Sequence, residues 1–152
     1  MNEIFVSVIL PAIFGTLGAA GIAIMYDAEW RRFGYSALAA FISTAVFEVF
    51  DLYFKIESHK LFVASLAAAI VLAVYSDVMA HVLKMPATAL LIPGILPLVP
   101  GRSLYYATLS AINSSPEALT YAGEAIYIAL GIAVGIVFVT FVMRRIIFIK
   151  RK

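Results

Sequence analysis

Apolar residues come in five long runs, each followed by a short polar stretch. The runs cover about residues 4–26, 33–54, 61–83, 88–112 and 117–143, and a basic tail occupies 144–152. A helix of about 20 mostly apolar residues crosses a bilayer. The pattern therefore predicts an all-α integral membrane protein, with one transmembrane domain over residues 1–152 and about five transmembrane segments.

The composition agrees with a membrane protein. Of the residues, 64% are hydrophobic and 13% are charged, whereas a soluble domain is about half apolar and a quarter charged. The first run is longer than the apolar core of a signal peptide, and no Lys or Arg precedes it, so we expect a retained span. Cysteine is absent and the two histidines lie far apart in sequence. We therefore expect no metal site and no cofactor, and the scattered basic residues do not indicate nucleic-acid binding.

The fourth run is interrupted by three prolines and two glycines within residues 93–101. Each proline lacks a backbone N–H and favours an extended residue before it. Broken backbone at membrane depth needs protein or a water-filled cavity around it, and transporters use such breaks to bind substrates. A kinked structural helix or a surface loop is the alternative. The candidate substrate-binding residues are Pro93, Gly94, Pro97, Pro100, Gly101, Arg102 and Ser103.

The chemistry of a small amino acid fits this stretch. Carbonyls released by the prolines can accept from an ammonium group, and Arg102 or the N–H groups after Gly101 can meet a carboxylate. Arg102 could instead extend its charge to the membrane interface, and the hydroxyl of Ser103 could bond only to its own helix.

Two runs carry acidic residues on small-residue faces. Glu48 follows Ala40 and Thr44 at four-residue spacing, and Asp51 is three residues further. An ionisable residue inside a membrane is a functional hypothesis by default. The alternative is that the run ends early, with Asp51 paired to Lys55 in the interface.

In the third run, Asp77 and His81 end a stripe of four-residue steps that begins with Ser65, Ala69 and Ala73. A carboxylate one turn from an imidazole can form a proton relay, or a static pair at the membrane edge. The proton-coupling candidates are Glu48, Asp51, Asp77 and His81. An enzyme would rest on Asp77, His81 and Glu48 alone, so we do not expect catalysis.

Small residues also predict close helix contacts. Gly15 and Ala19 are four residues apart in the first run, and Gly131 and Gly135 form a GxxxG pattern in the fifth. Such spacings allow another helix to approach closely.

Basic residues predict the orientation. If all five runs cross, Arg31, Arg32, Lys84 and the tail share the cytoplasmic side, and only Lys55 and Lys60 lie outside. A re-entrant fourth segment would give four crossings plus a hairpin and would move Arg31, Arg32 and Lys84 outside. Five crossings, with the C-terminus in the cytoplasm, fit the rule better.

The proline-rich stretch resembles the threonine/serine exporter family. The similarity lies in Met85-Pro86-Ala87, Ile92-Pro93-Gly94 and Pro97-Leu98-Val99-Pro100-Gly101, with Tyr105 shortly after, and these residues add Tyr105 to the substrate-binding candidates. The chain length and the series of apolar runs resemble the short subunit, which corresponds to the second membrane half of the fused exporters.

The resemblance implies proton-driven export of threonine and serine across a bacterial inner membrane. It also implies a partner, a larger membrane subunit of the same family, with a homo-oligomer as a further option. Related two-subunit systems have been linked to dicarboxylate export, so a dicarboxylate remains an alternative substrate. A membrane subunit that only scaffolds its partner is another alternative.

Overall fold

The computed structural model describes residues 5–25, 30–53 and 60–150, and these are helical apart from short turns. The predicted segment ends at residues 4, 26 and 54, and the end of the tail at 151–152, lie outside this part of the chain. In these described ranges, a π-helical turn at Phe5–Ile9 is followed by six α-helices: α1 Leu10–Met25, α2 Trp30–Tyr53, α3 Lys60–Leu83, α4 Thr88–Ile95, α5 Gly101–Ile112 and α6 Ala118–Lys150.

The described residues contain no strand, which confirms the all-α prediction. Within the part of the chain that the structure describes, three stretches are long and apolar enough to cross a membrane: Phe33–Tyr53, Lys60–Leu83 and Ala118–Met143. Shorter apolar helical stretches cover Leu10–Gly21 and Thr88–Leu98. The molecule is therefore an all-α membrane protein.

The fourth segment is broken, as predicted, but at one point only. A 3₁₀ turn at Leu96–Leu98 follows α4, and Val99 is extended, with φ −58° and ψ 130°, immediately before Pro100. A proline forces this conformation on the residue that precedes it. Helix α5 then begins at Gly101, and the N–H of Leu104 donates to the carbonyl of Pro100 at 3.0 Å.

The other two prolines do not break the chain where the sequence predicted. Pro93 lies inside α4, and Pro97 lies in the first turn of the 3₁₀ segment, where a missing N–H costs little. Gly94 therefore belongs to a helix and not to a turn. Neither Gly94 nor Gly101 has a positive φ, so a left-handed backbone does not explain either glycine.

Close packing explains Gly94. A Cβ on this residue would collide with Leu72 of α3 and would lie 3.3 Å from the Cβ of Ala39 on α2. The buried hydroxyl of Ser43 on α2 donates to the carbonyl of Gly94 at 2.8 Å. Helix α4 is thus held in the bundle by contact with both α2 and α3. A Cβ on Gly101 would meet no described atom within 4 Å.

The glycines of the GxxxG pattern pack against the small-residue stripe of α3. A Cβ on Gly131 would collide with Ser65 and would lie 2.6 Å from the carbonyl oxygen of Phe62. A Cβ on Gly135 would lie 2.8 Å from the Cβ of Ala69. This confirms the predicted close contact. Because contacts advance along both helices in the same direction, α6 runs parallel to α3.

The first helix also makes a close contact through a glycine. A Cβ on Gly15 would lie 2.9 Å from the hydroxyl oxygen of Thr44 and 3.1 Å from the Cβ of Pro97. Ala19, one turn further along α1, is buried. Helix α1 therefore packs against both α2 and the segment that follows α4.

Candidate functional site

A cavity of about 420 Å³ lies beside the break in the fourth segment. Its volume falls in the range of about 300–1,000 Å³ that is usual for small-molecule sites. Pro97, Leu98, Val99 and Pro100 form one part of its lining. Helices α2, α3, α5 and α6 contribute the charged and hydroxyl-bearing residues Glu48, Asp51, Lys60, Arg102, Ser103 and Glu124.

One acid of the cavity is paired across the loop between α2 and α3. The Nζ of Lys60 lies 3.2 Å from Oδ1 of Asp51, and this is an ion-pair distance without the alignment of a hydrogen bond. Lys55, the predicted partner of Asp51, lies outside the described residues. Asp51 is therefore neutralised at least in part by the first residue of α3.

A second acid is oriented by the residue that follows Arg102. The hydroxyl of Ser103 donates to Oε2 of Glu124 at 3.2 Å, and Ser103 is 8% exposed. This contact fixes the start of α5 against α6. It also holds the Glu124 carboxylate beside the N-terminal turn of α5.

Arg102 lies over an aromatic surface at the same place. Its guanidinium carbon is 5.9 Å from the centre of the Tyr106 ring, and that ring is 5.5 Å from the ring of Tyr121 on α6. A guanidinium on an aromatic face keeps its in-plane N–H donors available for a carboxylate. Both tyrosines line the cavity.

Some carbonyls near the break already accept hydrogen bonds. The carbonyl of Gly94 accepts from Ser43 at 2.8 Å. Those of Leu96 and Val99 accept from the N–H groups of Val99 at 3.2 Å and Gly101 at 2.7 Å. An ammonium group would therefore have to share these carbonyls with donors of the protein. The carboxylates of the cavity are stronger acceptors for it.

The predicted substrate-binding residues do not all line this cavity. Pro97, Pro100, Arg102 and Ser103 do. Pro93 and Gly94 are buried within α4, away from the lining. Gly101 is exposed at the start of α5, and Tyr105 is 63% exposed and stacks edge-on against Tyr106.

The proton-coupling candidates separate into two groups. Glu48 and Asp51 line the cavity, whereas Asp77 and His81 lie near the other end of α3. Lys60 and Asp77 are 17 positions apart on that helix, or roughly 25 Å at 1.5 Å per residue. We call the two ends of the bundle the Lys60 end and the Lys84 end, after the residues that begin α3 and follow it.

The second group forms its own arrangement at the Lys84 end. The ring Nδ1 of His81 lies 2.8 Å from the backbone carbonyl oxygen of Asp77 and can donate to it in the matching tautomer. An open cavity there is lined by Asp77, His81 and Lys84 together with Met85 and Pro86 of the proline-rich stretch. A neighbouring cavity includes Ser76 and Asp77. The stretch therefore contributes to cavities at both ends of the bundle.

Four polar residues of the cavity are not among the candidates from the sequence: Lys60, Tyr106, Tyr121 and Glu124. Lys60 precedes the third predicted run, which begins at residue 61, but it is the first residue of α3. Tyr106 and Tyr121 carry no local signal, because sequence does not indicate which sides of α5 and α6 face the cavity. Glu124 could have been found, because an acid two turns into an apolar run meets the criterion that selected Glu48.

A helical membrane bundle with a charged cavity at a broken helix is the arrangement of a membrane transporter. A family model described as Threonine/Serine exporter, ThrE, matches residues 11–142, and the chain belongs to this family. It is therefore a transporter of the threonine/serine exporter type. Neither the curated proteins nor the solved structures compared with it gave a match.

Proposed function

We propose that the chain is one half of a proton-coupled exporter that carries threonine or serine out of the bacterial cytoplasm. The observation that carries the proposal is the charged cavity at the break after Val99. A zwitterion must find partners for both of its charges as it leaves water. Arg102 supplies a planar cation, and the carboxylates of Glu48, Asp51 and Glu124 supply anions in the same cavity.

The charges of the cavity support proton coupling. Among its described lining residues, three carboxylates face the two cations Lys60 and Arg102. An excess negative charge is costly away from bulk water. A proton on one carboxyl group would remove the excess. Among the described residues, Asp51 has an ion pair and Glu124 has a hydroxyl hydrogen bond, whereas Glu48 has neither, so Glu48 is the acid that we expect to take the proton. A dicarboxylate would add negative charge, so the cavity favours a zwitterionic substrate.

The direction of the helices supports five crossings. A hairpin in place of the fourth crossing would make the last helix antiparallel to the third span, whereas α6 runs parallel to α3. With five crossings, most of the Lys and Arg residues of the sequence gather at the Lys84 end. We therefore propose that this end faces the cytoplasm and that the charged cavity opens towards the outside.

Cysteine labelling tests this orientation. Cysteines introduced at Asn2 and Lys152 should react from opposite sides, the first with an impermeant reagent added to intact cells and the second only after the membrane is opened. Labelling of both from the same side would contradict five crossings. The chain has no cysteine of its own, so the background is low.

The partner is the larger membrane subunit that the family resemblance implies. Helix α5 leaves large apolar side chains exposed, including Leu104, Leu109 and Ile112. These can face lipid or another subunit. Co-expression of this chain with the larger subunit is therefore the setting for the transport experiment.

Export of labelled threonine from loaded cells tests the function. Cells that contain both subunits should export threonine faster than cells that lack this chain, and Arg102→Lys should lower the rate several-fold because the bidentate donor is lost. Arg145→Lys is the matched control, because Arg145 also lies over a ring, Phe141, at 5.4 Å, but at the opposite end of α6.

Equal export with and without this chain would contradict transport of threonine. Export that needs the chain but is unaffected by Arg102→Lys would favour a scaffold whose partner holds the substrate. Faster export of a dicarboxylate than of threonine would mean that the substrate is a dicarboxylate, and the cavity would remain the candidate site.

A further inference from the structure

Glu124 is the acid of the cavity with a fixed position relative to the start of α5. Ser103 donates to its Oε2 at 3.2 Å, and Ser103 is the next residue after Arg102. The contact therefore holds the Glu124 carboxylate of α6 against the first turn of α5, and the Arg102 side chain begins from the residue next to Ser103. The other two acids, Glu48 and Asp51, belong to α2.

The three acids differ in what they can offer a ligand. Asp51 already pairs with Lys60 at 3.2 Å. Glu48 is one turn from Asp51 on the same helix, and two neighbouring carboxylates favour protonation of one of them. Glu124 accepts one hydroxyl hydrogen bond, and a carboxylate has about four acceptor positions in total. Its remaining acceptor positions suit an ammonium group.

The backbone competes poorly for the same role. The carbonyls of Gly94, Leu96 and Val99 already accept hydrogen bonds from Ser43, Val99 and Gly101. A hydrogen bond between an ammonium and a carboxylate is shorter and about twice as strong as one between neutral groups. The ammonium of a bound amino acid should therefore bind the Glu124 carboxylate in preference to a backbone carbonyl that already accepts a hydrogen bond.

We propose that Glu124 binds the α-ammonium group of the substrate while Arg102 meets its carboxylate, so that Glu124 selects amino acids over hydroxy acids. This rests on the proposed function, since it assigns a role within the same cavity. Ser103 is a positioning residue, because it orients Glu124. Glu48 is then left to carry the proton.

Counterflow in membrane vesicles tests the role of Glu124. Vesicles that contain both subunits are preloaded with unlabelled threonine, and uptake of labelled threonine is measured with and without 3-hydroxybutyrate, which is threonine without its amino group. Glu124→Gln should raise the KM for threonine by on the order of tenfold or more. It should also make 3-hydroxybutyrate a better competitor, because the carboxylate that repels the monoanion is gone.

Two further variants separate binding from folding. Ser103→Ala keeps the Glu124 carboxylate but removes the hydroxyl that orients it. The KM for threonine should therefore rise by a smaller factor, with little change in kcat. Glu117→Gln is the matched control, because Glu117 is exposed, lies outside the cavity and precedes the same helix. It should behave as the parent chain does in both measurements.

The outcomes are distinguishable from failure of the proposed function. If the parent vesicles take up no more threonine than vesicles without this chain, the exporter proposal fails. If the parent is active, an unchanged KM and unchanged competition in Glu124→Gln overturn the role of Glu124. If Glu124→Gln keeps its KM and loses only gradient-driven transport, Glu124 carries the proton instead. If Glu124→Gln is absent from the membrane, an unchanged KM in Ser103→Ala contradicts the proposal.

Discussion

Gly131→Ala should destabilise the protein, whereas the same substitution at Gly123 on the same helix should not. A Cβ at position 131 would collide with Ser65 and would lie 2.6 Å from the carbonyl oxygen of Phe62 and 3.0 Å from the backbone nitrogen of Leu66. The last two atoms are backbone and cannot turn away. Helices α3 and α6 would have to separate, and overpacking of this kind costs about 1–3 kcal/mol.

Gly123 provides the matched control. A Cβ there meets no described atom within 4 Å, and alanine is favoured over glycine inside a helix by up to about 1 kcal/mol. In detergent micelles, Gly131→Ala should therefore lower the melting temperature, and Gly123→Ala should leave it unchanged or raise it. A shift of the same sign and size in both variants would mean that the α3–α6 contact does not limit stability.

The two halves of this contact were predictable, but their pairing was not. The stripe of Ser65 and Ala69 and the GxxxG pattern of Gly131 and Gly135 each indicate a face that another helix can approach. Neither pattern says which helix comes. The pairing depends on the fourth segment as a whole, because α4 and α5 return the chain to the Lys60 end, where α6 begins beside α3 and runs parallel to it.

The position of the break shows why local rules reach only part of the fold. All three prolines remove an N–H donor, yet only Pro100 follows an extended residue. Pro93 has a backbone angle compatible with a helix, and contacts from other helices hold α4 together at Gly94. The hydroxyl of Ser43, 51 positions away in sequence, is a donor that no local pattern around the prolines contains.

The candidate residues from the sequence also divide into those that lie in the cavity and those that lie elsewhere. Glu48, Asp51, Arg102 and Ser103 were found because each is unusual within an apolar run, and the bundle brings all four to one cavity. Asp77 and His81 were equally unusual, but the length of α3 separates them from that cavity. Periodicity identifies a helix face, whereas the distance between two faces depends on the packing of all the helices.

This separation predicts different results for Glu48→Gln and Asp77→Asn, and both effects should be large. Each substitution removes a titratable group and nearly keeps the shape of the side chain. If Glu48 carries the proton, Glu48→Gln should abolish threonine export driven by a proton gradient and should leave threonine counterflow intact, because counterflow needs no net movement of protons.

Asp77→Asn tests the other end of the bundle. At roughly 25 Å along α3, Asp77 cannot exchange a proton directly with a substrate bound near Glu48. If Asp77 admits or releases protons at the Lys84 end, its variant should slow gradient-driven export and leave the KM of counterflow unchanged. Glu117→Gln, outside the cavity, should match the parent in every measurement.

The results of Glu48→Gln and Asp77→Asn together identify the acid that carries the proton. Loss of gradient-driven export in Glu48→Gln alone would place the coupling step in the substrate cavity, where proton and amino acid compete for the same excess of negative charge. Loss in both variants would mean that the proton passes both ends of the bundle. Export with the parent's dependence on the gradient in both variants would show that neither acid couples transport to protons.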